Sequence, residues 1–195
     1  PIRGTTLYRT IYYLPSVVPN VAASIVWIFI FETRRGILNF ALELLGFPPI
    51  RCLSDPTWAK PALIIMSLWG IGSTMVIYLA GLQGISQELY EAAEVDGATG
   101  WYKLIKITVP LMTPTIFFNL VMNLVSAFQV FNSAFIITGG GPFNSTLFYM
   151  LHLYNNAFRY FRMGYASALA VLLFLVVFGL TLFVYRTSDR WVYYS

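Results

Sequence analysis

The chain has 195 residues, of which 58% are hydrophobic, 17% aromatic and only 10% charged, with a net charge of +4 at neutral pH and a mean hydropathy of +0.70. Soluble domains carry about 25% charged residues to keep their surfaces wet; here the stretch from Ile107 to Phe158 has no Asp, Glu, Lys or Arg, which excludes a soluble globule and makes lipid the expected solvent. The twelve Lys and Arg lie in ones and twos between apolar runs, a pattern that excludes nucleic acid as a partner, while a single Cys52 and a single His152 leave no intramolecular disulfide and no Cys- or His-based metal cluster.

Four charge-free apolar segments, residues 10–31, 62–82, 115–137 and 165–185, are long enough to cross a membrane, which takes about 20 helical residues. Backbone groups cannot stay unpaired in lipid, and these runs lack the alternation of a barrel strand. The expected fold is all-α and polytopic, with four transmembrane helices.

The first span holds Pro15 and Pro19, each lacking an amide donor and freeing a carbonyl one turn earlier. Broken helices commonly line a cavity, which makes Ser16 and Asn20 candidate solute contacts; the alternative is a simple kink. In the following loop, residues 37–45 mix apolar and polar side chains at helical spacing and read as an interfacial segment. The second span offers Trp69 as a stacking platform or a packing residue, Gly70 as a point of close approach, and Ser73.

Between the second and third spans lies the most polar stretch of the sequence. Ser86 is a natural N-cap, Glu88 suits the first turn, and Gly97 suits a left-handed C-terminal position, so a short helix is expected over residues 87–96. Leu89, Ala92 and Ala93 share one face, small enough for another surface to approach closely, with Glu91, Glu94 and Asp96 around it. After Gly97, the residues Trp101, Leu104, Ile105 and Thr108 form a second stripe, with Lys103 and Lys106 away from it and Pro110 expected to end the element. Such a loop either packs against its own bundle or serves another subunit.

In the third span, Thr115, Asn119, Asn123, Ser126 and Ser133 fall within an arc of about 80° at 100° per residue, with Gln129 outside it. Polar residues so placed either bond to neighbouring helices or face a pathway. The last loop, residues 138–164, carries Phe148, Tyr149, Tyr154, Phe158, Tyr160 and Phe161, which fit an aromatic belt at the headgroups or a docking surface. The triplet Asn144-Ser145-Thr146 is a glycosylation sequon to which chance gives no weight. Orientation stays undecided by charge: Arg3, Arg9, Lys103, Lys106, Arg186 and Arg190 lie on one side, and Arg34, Arg35, Arg51, Lys60, Arg159 and Arg162 on the other.

The polar loop resembles the signature of the permease subunits of binding-protein-dependent ABC importers. Glu91-Ala92-Ala93 is followed after three residues by Gly97, then after nine by Ile107, then by Val109-Pro110 where the family pattern has Leu-Pro. The segments Arg9-Thr10-Ile11-Tyr12-Tyr13-Leu14-Pro15, Leu53-Ser54-Asp55-Pro56, Tyr78-Leu79-Ala80-Gly81-Leu82-Gln83, Glu88-Leu89-Tyr90-Glu91-Ala92-Ala93, Thr138-Gly139-Gly140-Gly141-Pro142 and Gly164-Tyr165-Ala166-Ser167-Ala168 are similar to the carbohydrate, maltose-type class of that family.

The resemblance implies that the chain, 1–195, is a transmembrane permease domain lacking at least two N-terminal helices of the family pattern, seated in a bacterial or archaeal plasma membrane among lipid. It implies a cytoplasmic loop in which Glu91, Ala92, Ala93 and Gly97, with Glu88 and Leu89, dock on an ABC ATPase dimer. It also implies a second permease subunit, an extracytoplasmic solute-binding protein and a sugar passing along Ser16, Asn20, Trp69, Gly70, Ser73, Asn119, Asn123, Ser126 and Gln129. Uncharged donors and acceptors suit sugar hydroxyls, and aromatic faces suit sugar C–H surfaces. No catalytic role, metal or cofactor is expected in this chain, since it carries no G-x-x-x-x-G-K-[ST] loop and ATP with Mg would sit on the partner ATPase. Another solute such as glycerol phosphate is the nearest alternative. An ATP-independent channel or ion-coupled carrier lacks intramembrane Asp, Glu or His in the four spans, and an intramembrane enzyme lacks its motifs.

Overall fold

The computed structural model describes residues 4–193, so Arg3 lies outside the described residues, and every regular element among these is helical. In chain order the helices are α1 Thr5–Val17, α2 Asn20–Ile30, α3 Ile37–Leu44, α4 Pro56–Leu68, α5 Gly72–Gln83, α6 Gln87–Val95, α7 Gly100–Lys103, α8 Val109–Phe128, α9 Tyr149–Tyr154 and α10 Met163–Ser188. Wider π turns occupy Leu104–Thr108, Ala134–Thr138 and Asn155–Arg159.

Among the described residues two helices are long and apolar enough to cross a membrane: Gly100–Phe128, with 29 residues, and Met163–Ser188, with 26. At 1.5 Å per residue they reach roughly 43 and 39 Å, beyond the ~30 Å hydrocarbon core. The first two expected crossings are instead bent pairs, α1 with α2 at 99° and α4 with α5 at 43°; counted as one span each, they raise the number to four.

The sharper bend has a local cause. Val18 is extended, with ψ 127°, because the ring of Pro19 disfavours helical backbone before it, and Pro19 brings no amide to continue the ladder. Residues 10–31 therefore form no single rod. The third expected crossing also shifts: it starts earlier and its helix ends at Phe128. Pro110 does not end the element as expected but sits inside it. The π turn just before, closed by the Val109 amide on the Leu104 carbonyl, makes the helix wider where an α-turn carbonyl would meet the proline ring.

The chain divides into two compact units, residues up to Gly72 with Phe128–Leu173, and Ser73–Ala127 with the C-terminal part from Phe174. In the first, Phe31, Cys52 and Ala62 form a core with Trp27, Ile30, Leu38, Ile50 and Leu53 around it. Asn39, only 2% exposed, staples the loop over this core: its amide donates to the Thr33 and Ile50 carbonyls at 3.0 and 2.9 Å and accepts from the Ile50 amide at 2.8 Å. Helix α3 consequently turns a polar residue inward and Ile37, Phe40, Leu44 and Leu45 outward, an apolar face suited to lipid or protein. Gly72 is a point of close approach, since a Cβ there would stand 2.2 Å from the Tyr12 carbonyl oxygen. In the loop after the second π turn Thr146 is fully buried, 2.6 Å from the Thr138 hydroxyl and donating to the Gly141 carbonyl at 2.7 Å.

The second unit packs α5 on α8, where a Cβ on Gly81 would meet the Thr115 hydroxyl at 2.6 Å. Its tail folds back on the same helix: Phe117 lies 6.3 Å from the Tyr185 ring and 6.1 Å from Trp191.

Candidate functional site

The polar loop of the second unit forms the helix its sequence specifies. The Ser86 hydroxyl caps α6 by accepting from the Glu88 amide at 3.3 Å, with Glu88 in the first turn facing the positive end of the helix dipole. At the other end Gly97, at φ +77°, turns the chain; its amide donates to the Glu94 carbonyl at 3.0 Å and that of Ala98 to Ala93 at 2.8 Å. This is a Schellman closure, and nothing stands within 4 Å of where a Cβ on Gly97 would be, so the glycine is required by backbone conformation alone.

No residue of α6 is buried. Leu89 is 46% exposed and Val95 89%, and Ala92, Glu88 and Glu91 are exposed, while Tyr90 and Ala93 are half-buried. Apolar surface is thus left open beside the small side chains. Glu91 accepts from the Gln87 side chain at 2.8 Å within the helix. Glu94 instead reaches out of it to the ammonium of Lys103 at 2.6 Å. That bond, aided by the attraction of the Lys103 charge, holds the Glu94 carboxyl below its ordinary value of 4.5. A second link joins the Tyr90 and Thr108 hydroxyls at 2.8 Å. Between α6, the π turn and the tail lies a groove of 560 Å³ lined by Leu89, Ile105, Lys106, Ile107, Pro110, Leu111 and Tyr193.

Three members of the second stripe are exposed and the fourth, Thr108, is half-buried. Trp101, Leu104 and Ile105 are exposed, and the half-buried face is Lys103, Ile107, Thr108 and Pro110. Five residues in the π turn displace the register that 100° per residue assumes. Tyr90 and Thr108 were not singled out as partners, since they lie 18 residues apart on either side of the Gly97 turn.

The candidate pathway residues divide between the units. In the first, Ser16 donates to the Tyr13 carbonyl at 2.7 Å, Asn20 is exposed at the start of α2, and Gln129 is exposed after α8. Trp69 stands edge-on to Trp27 at 5.7 Å, a packing contact, and remains 42% exposed. Beside Gly70 a Cβ would meet only the Ser67 carbonyl at 3.7 Å, so the chain itself leaves room there, and the point of close approach within the chain is Gly72. In the second unit Ser73 is exposed in the first turn of α5. Along α8, Asn119 donates to the Thr115 carbonyl at 2.9 Å, Asn123 to Asn119 at 2.8 Å and Ser126 to Met122 at 2.8 Å. Asn119 is buried, whereas Asn123 and Ser126 are exposed. Ser133 lies beyond the end of α8 and leaves the stripe, and Thr115 serves the contact with Gly81. Among the described residues no group of three or more His, Cys, Asp or Glu is placed to hold a metal.

The profile of the family of binding-protein-dependent transport system inner membrane components matches residues 3–193. The chain is 46% identical over 197 residues to the probable ABC transporter permease YesP of Bacillus subtilis, covering 99% of this chain and 63% of that one. It is 36% identical to the lactose transport system permease LacF of Rhizobium radiobacter, covering 90% and 61%, and 36% identical to the sn-glycerol-3-phosphate transport system permease UgpA of Brucella abortus, covering 100% and 67%. Among solved structures it superposes, with a TM-score of 0.88 and 27% identity, on a chain of a bacterial ABC transporter that imports the acidic polysaccharide alginate, covering 97% of this chain and 68% of that one. A chain of an alginate transporter in complex with its pentasaccharide-bound periplasmic protein matches with a TM-score of 0.87 at 28% identity, covering 95% and 65%. The chain spans about three fifths to two thirds of these relatives.

Proposed function

Because the chain belongs to the family of binding-protein-dependent transport system inner membrane components, we propose that it is part of the permease of an ATP-driven sugar importer, its two units working within one permease domain. In this reading the polar loop lies in the cytoplasm and α6 docks on an ABC ATPase dimer. A second permease subunit completes the pathway, and a solute-binding protein delivers to the outer face of a bacterial or archaeal plasma membrane. ATP and Mg belong to the ATPase. This chain's own contribution is a lever and a lining that tilt between outward-open and inward-open arrangements.

The observation that carries the reading is α6 itself: a helix capped at both ends, in the loop with the family spacing, with no residue buried in its own fold. A helix of 9 residues is marginal alone, and an exposed Leu89 beside Ala92 and Ala93 offers a close-fitting surface to a partner. Glu91 would meet a basic group there. Asn123 and Ser126 would line the pathway from α8, where both are exposed, and no charge accompanies them on that helix, which suits a neutral hydroxylated solute. Glycerol phosphate is the second reading, supported by the likeness to UgpA along the whole chain.

The test is cross-linking in the full-length permease. With a cysteine at position 92, by Ala92→Cys, the ATPase should cross-link to α6 with a yield that changes on ATP binding, and Glu91→Lys and Gly97→Leu should each abolish transport while binding protein still delivers solute. Full transport by both variants would remove the docking role.

A further inference from the structure

We propose that α6 passes its motion into the membrane through a two-point clasp on the π turn, with Tyr90 and Thr108 as positioning residues. The inference rests on the coupling role proposed above and adds which side chains transmit the movement. Since α6 has no buried residue, apolar packing gives it little purchase on the rest of the unit, and directional bonds must hold its orientation. Two such bonds are present and they converge. The Tyr90 hydroxyl meets the Thr108 hydroxyl at 2.8 Å, and Thr108 in turn donates to the Lys103 carbonyl at 3.4 Å. The ammonium of the same Lys103 holds Glu94 at 2.6 Å.

Lys103 and Thr108 are the two ends of the π turn, Leu104–Thr108 with Lys103 as its N-cap. A π turn is a local excess of one residue over an α-turn, and a place where helices commonly kink. Gripping both ends fixes it. The α8 helix follows directly from Val109 and carries Asn119, Asn123 and Ser126, so a tilt of α6 turns that helix instead of being absorbed where the two meet. Of the two points, Glu94 is 63% exposed and Lys103 18%, and an exposed ion pair contributes little; the half-buried Tyr90–Thr108 bond is the stiffer one.

The experiment measures solute moved per ATP hydrolysed in the full-length permease, reconstituted with its ATPase and loaded binding protein. Tyr90→Phe and Thr108→Val, which keep shape and remove a hydroxyl, should each lower that ratio roughly three- to tenfold, with no further loss in the double variant, while the ATPase still co-purifies. Thr108→Ser should restore the wild-type ratio. An unchanged ratio in both single variants, or a parallel fall of transport and ATPase activity at constant ratio, overturns the clasp and leaves the docking role intact. Should one single variant fail to assemble, the other together with Thr108→Ser decides. A wild-type permease that retains no ATPase overturns both the docking role and the clasp.

Discussion

The backbone amide of Tyr193 donates to the hydroxyl of Thr113 at 2.9 Å across 80 positions of sequence, and that hydroxyl donates onward to the Pro110 carbonyl at 2.6 Å. One buried threonine thereby ties the C-terminal tail to the start of α8, next to the groove that Leu89 and Tyr193 both line. Thr113→Val keeps the shape and leaves the Tyr193 amide without its acceptor, a cost of about 1–3 kcal/mol. The expected outcome is a lower melting temperature in detergent and faster proteolytic clipping after Ser188, a residue otherwise 3% exposed. Unchanged clipping would mean that Val192 and Trp191 hold the tail by packing alone.

Two glycines with opposite requirements give a graded comparison. Gly97 needs only its positive φ of 77°, having open space around it, so Gly97→Ala should cost about 1 kcal/mol and Gly97→Asn less. Gly72 needs the space: any Cβ would stand 2.2 Å from the Tyr12 carbonyl and 2.8 Å from the Tyr13 Cα, both backbone. Gly72→Ala must displace α1, and its loss of stability should exceed that of Gly97→Ala by at least about 1–2 kcal/mol. Thermal unfolding of the two variants side by side checks the order; equal losses would contradict it.

That contrast also shows what the sequence discloses. The ends of α6 were legible because Ser86, Glu88 and Gly97 act through bonds to residues no more than a few positions away. The spacing around Glu91-Ala92-Ala93 was legible only as a resemblance to the family pattern. Pro19 announced a break but not its angle of 99°, which depends on how α1 and α2 pack. Pro110 misled, since the wider turn before it leaves room for the ring, and a π turn carries no composition signature. Register carried across that turn or past the end of α8 shifts with it: Thr108 is half-buried while Trp101, Leu104 and Ile105 are exposed, and Ser133 leaves its stripe. Gly70 and Gly72 are indistinguishable in sequence, and only the path of α1 selects between them.

Acid should loosen α6 in a narrow window. Its bond to Lys103 lowers the Glu94 carboxyl below the ordinary 4.5, so the folded loop favours the ionised form, and the stabilisation is present above that value and lost as pH falls through the lowered one. From pH ~8 to ~5 this group should contribute no change. Hydrogen exchange of the α6 amides, compared between wild type and Glu94→Gln, should differ at neutral pH and converge once the pH has fallen through the lowered value of Glu94. Salt at about 1 M should narrow the neutral-pH difference, because the carboxylate is exposed and screened. A difference that persists in strong acid would mean that Glu94 acts through something other than its charge.

The asparagines of α8 separate packing from passage. Asn119 and Asn123 lie one turn apart, and each donates to the carbonyl of the residue four positions earlier. Asn119 is 3% exposed, so Asn119→Leu must fit a branched apolar side chain where a buried amide lay, and should cost about 1–3 kcal/mol of stability whatever the permease carries. Asn123 is exposed, so the fold loses little when it is replaced, and under the proposed pathway the effect falls on transport. Asn123→Leu should keep the melting temperature within about 2 °C while solute flux, or stimulation of the ATPase by loaded binding protein, falls about tenfold through the loss of a polar contact to the solute. Unaltered flux and stimulation would take Asn123 out of the solute's path and move the pathway off this face of α8.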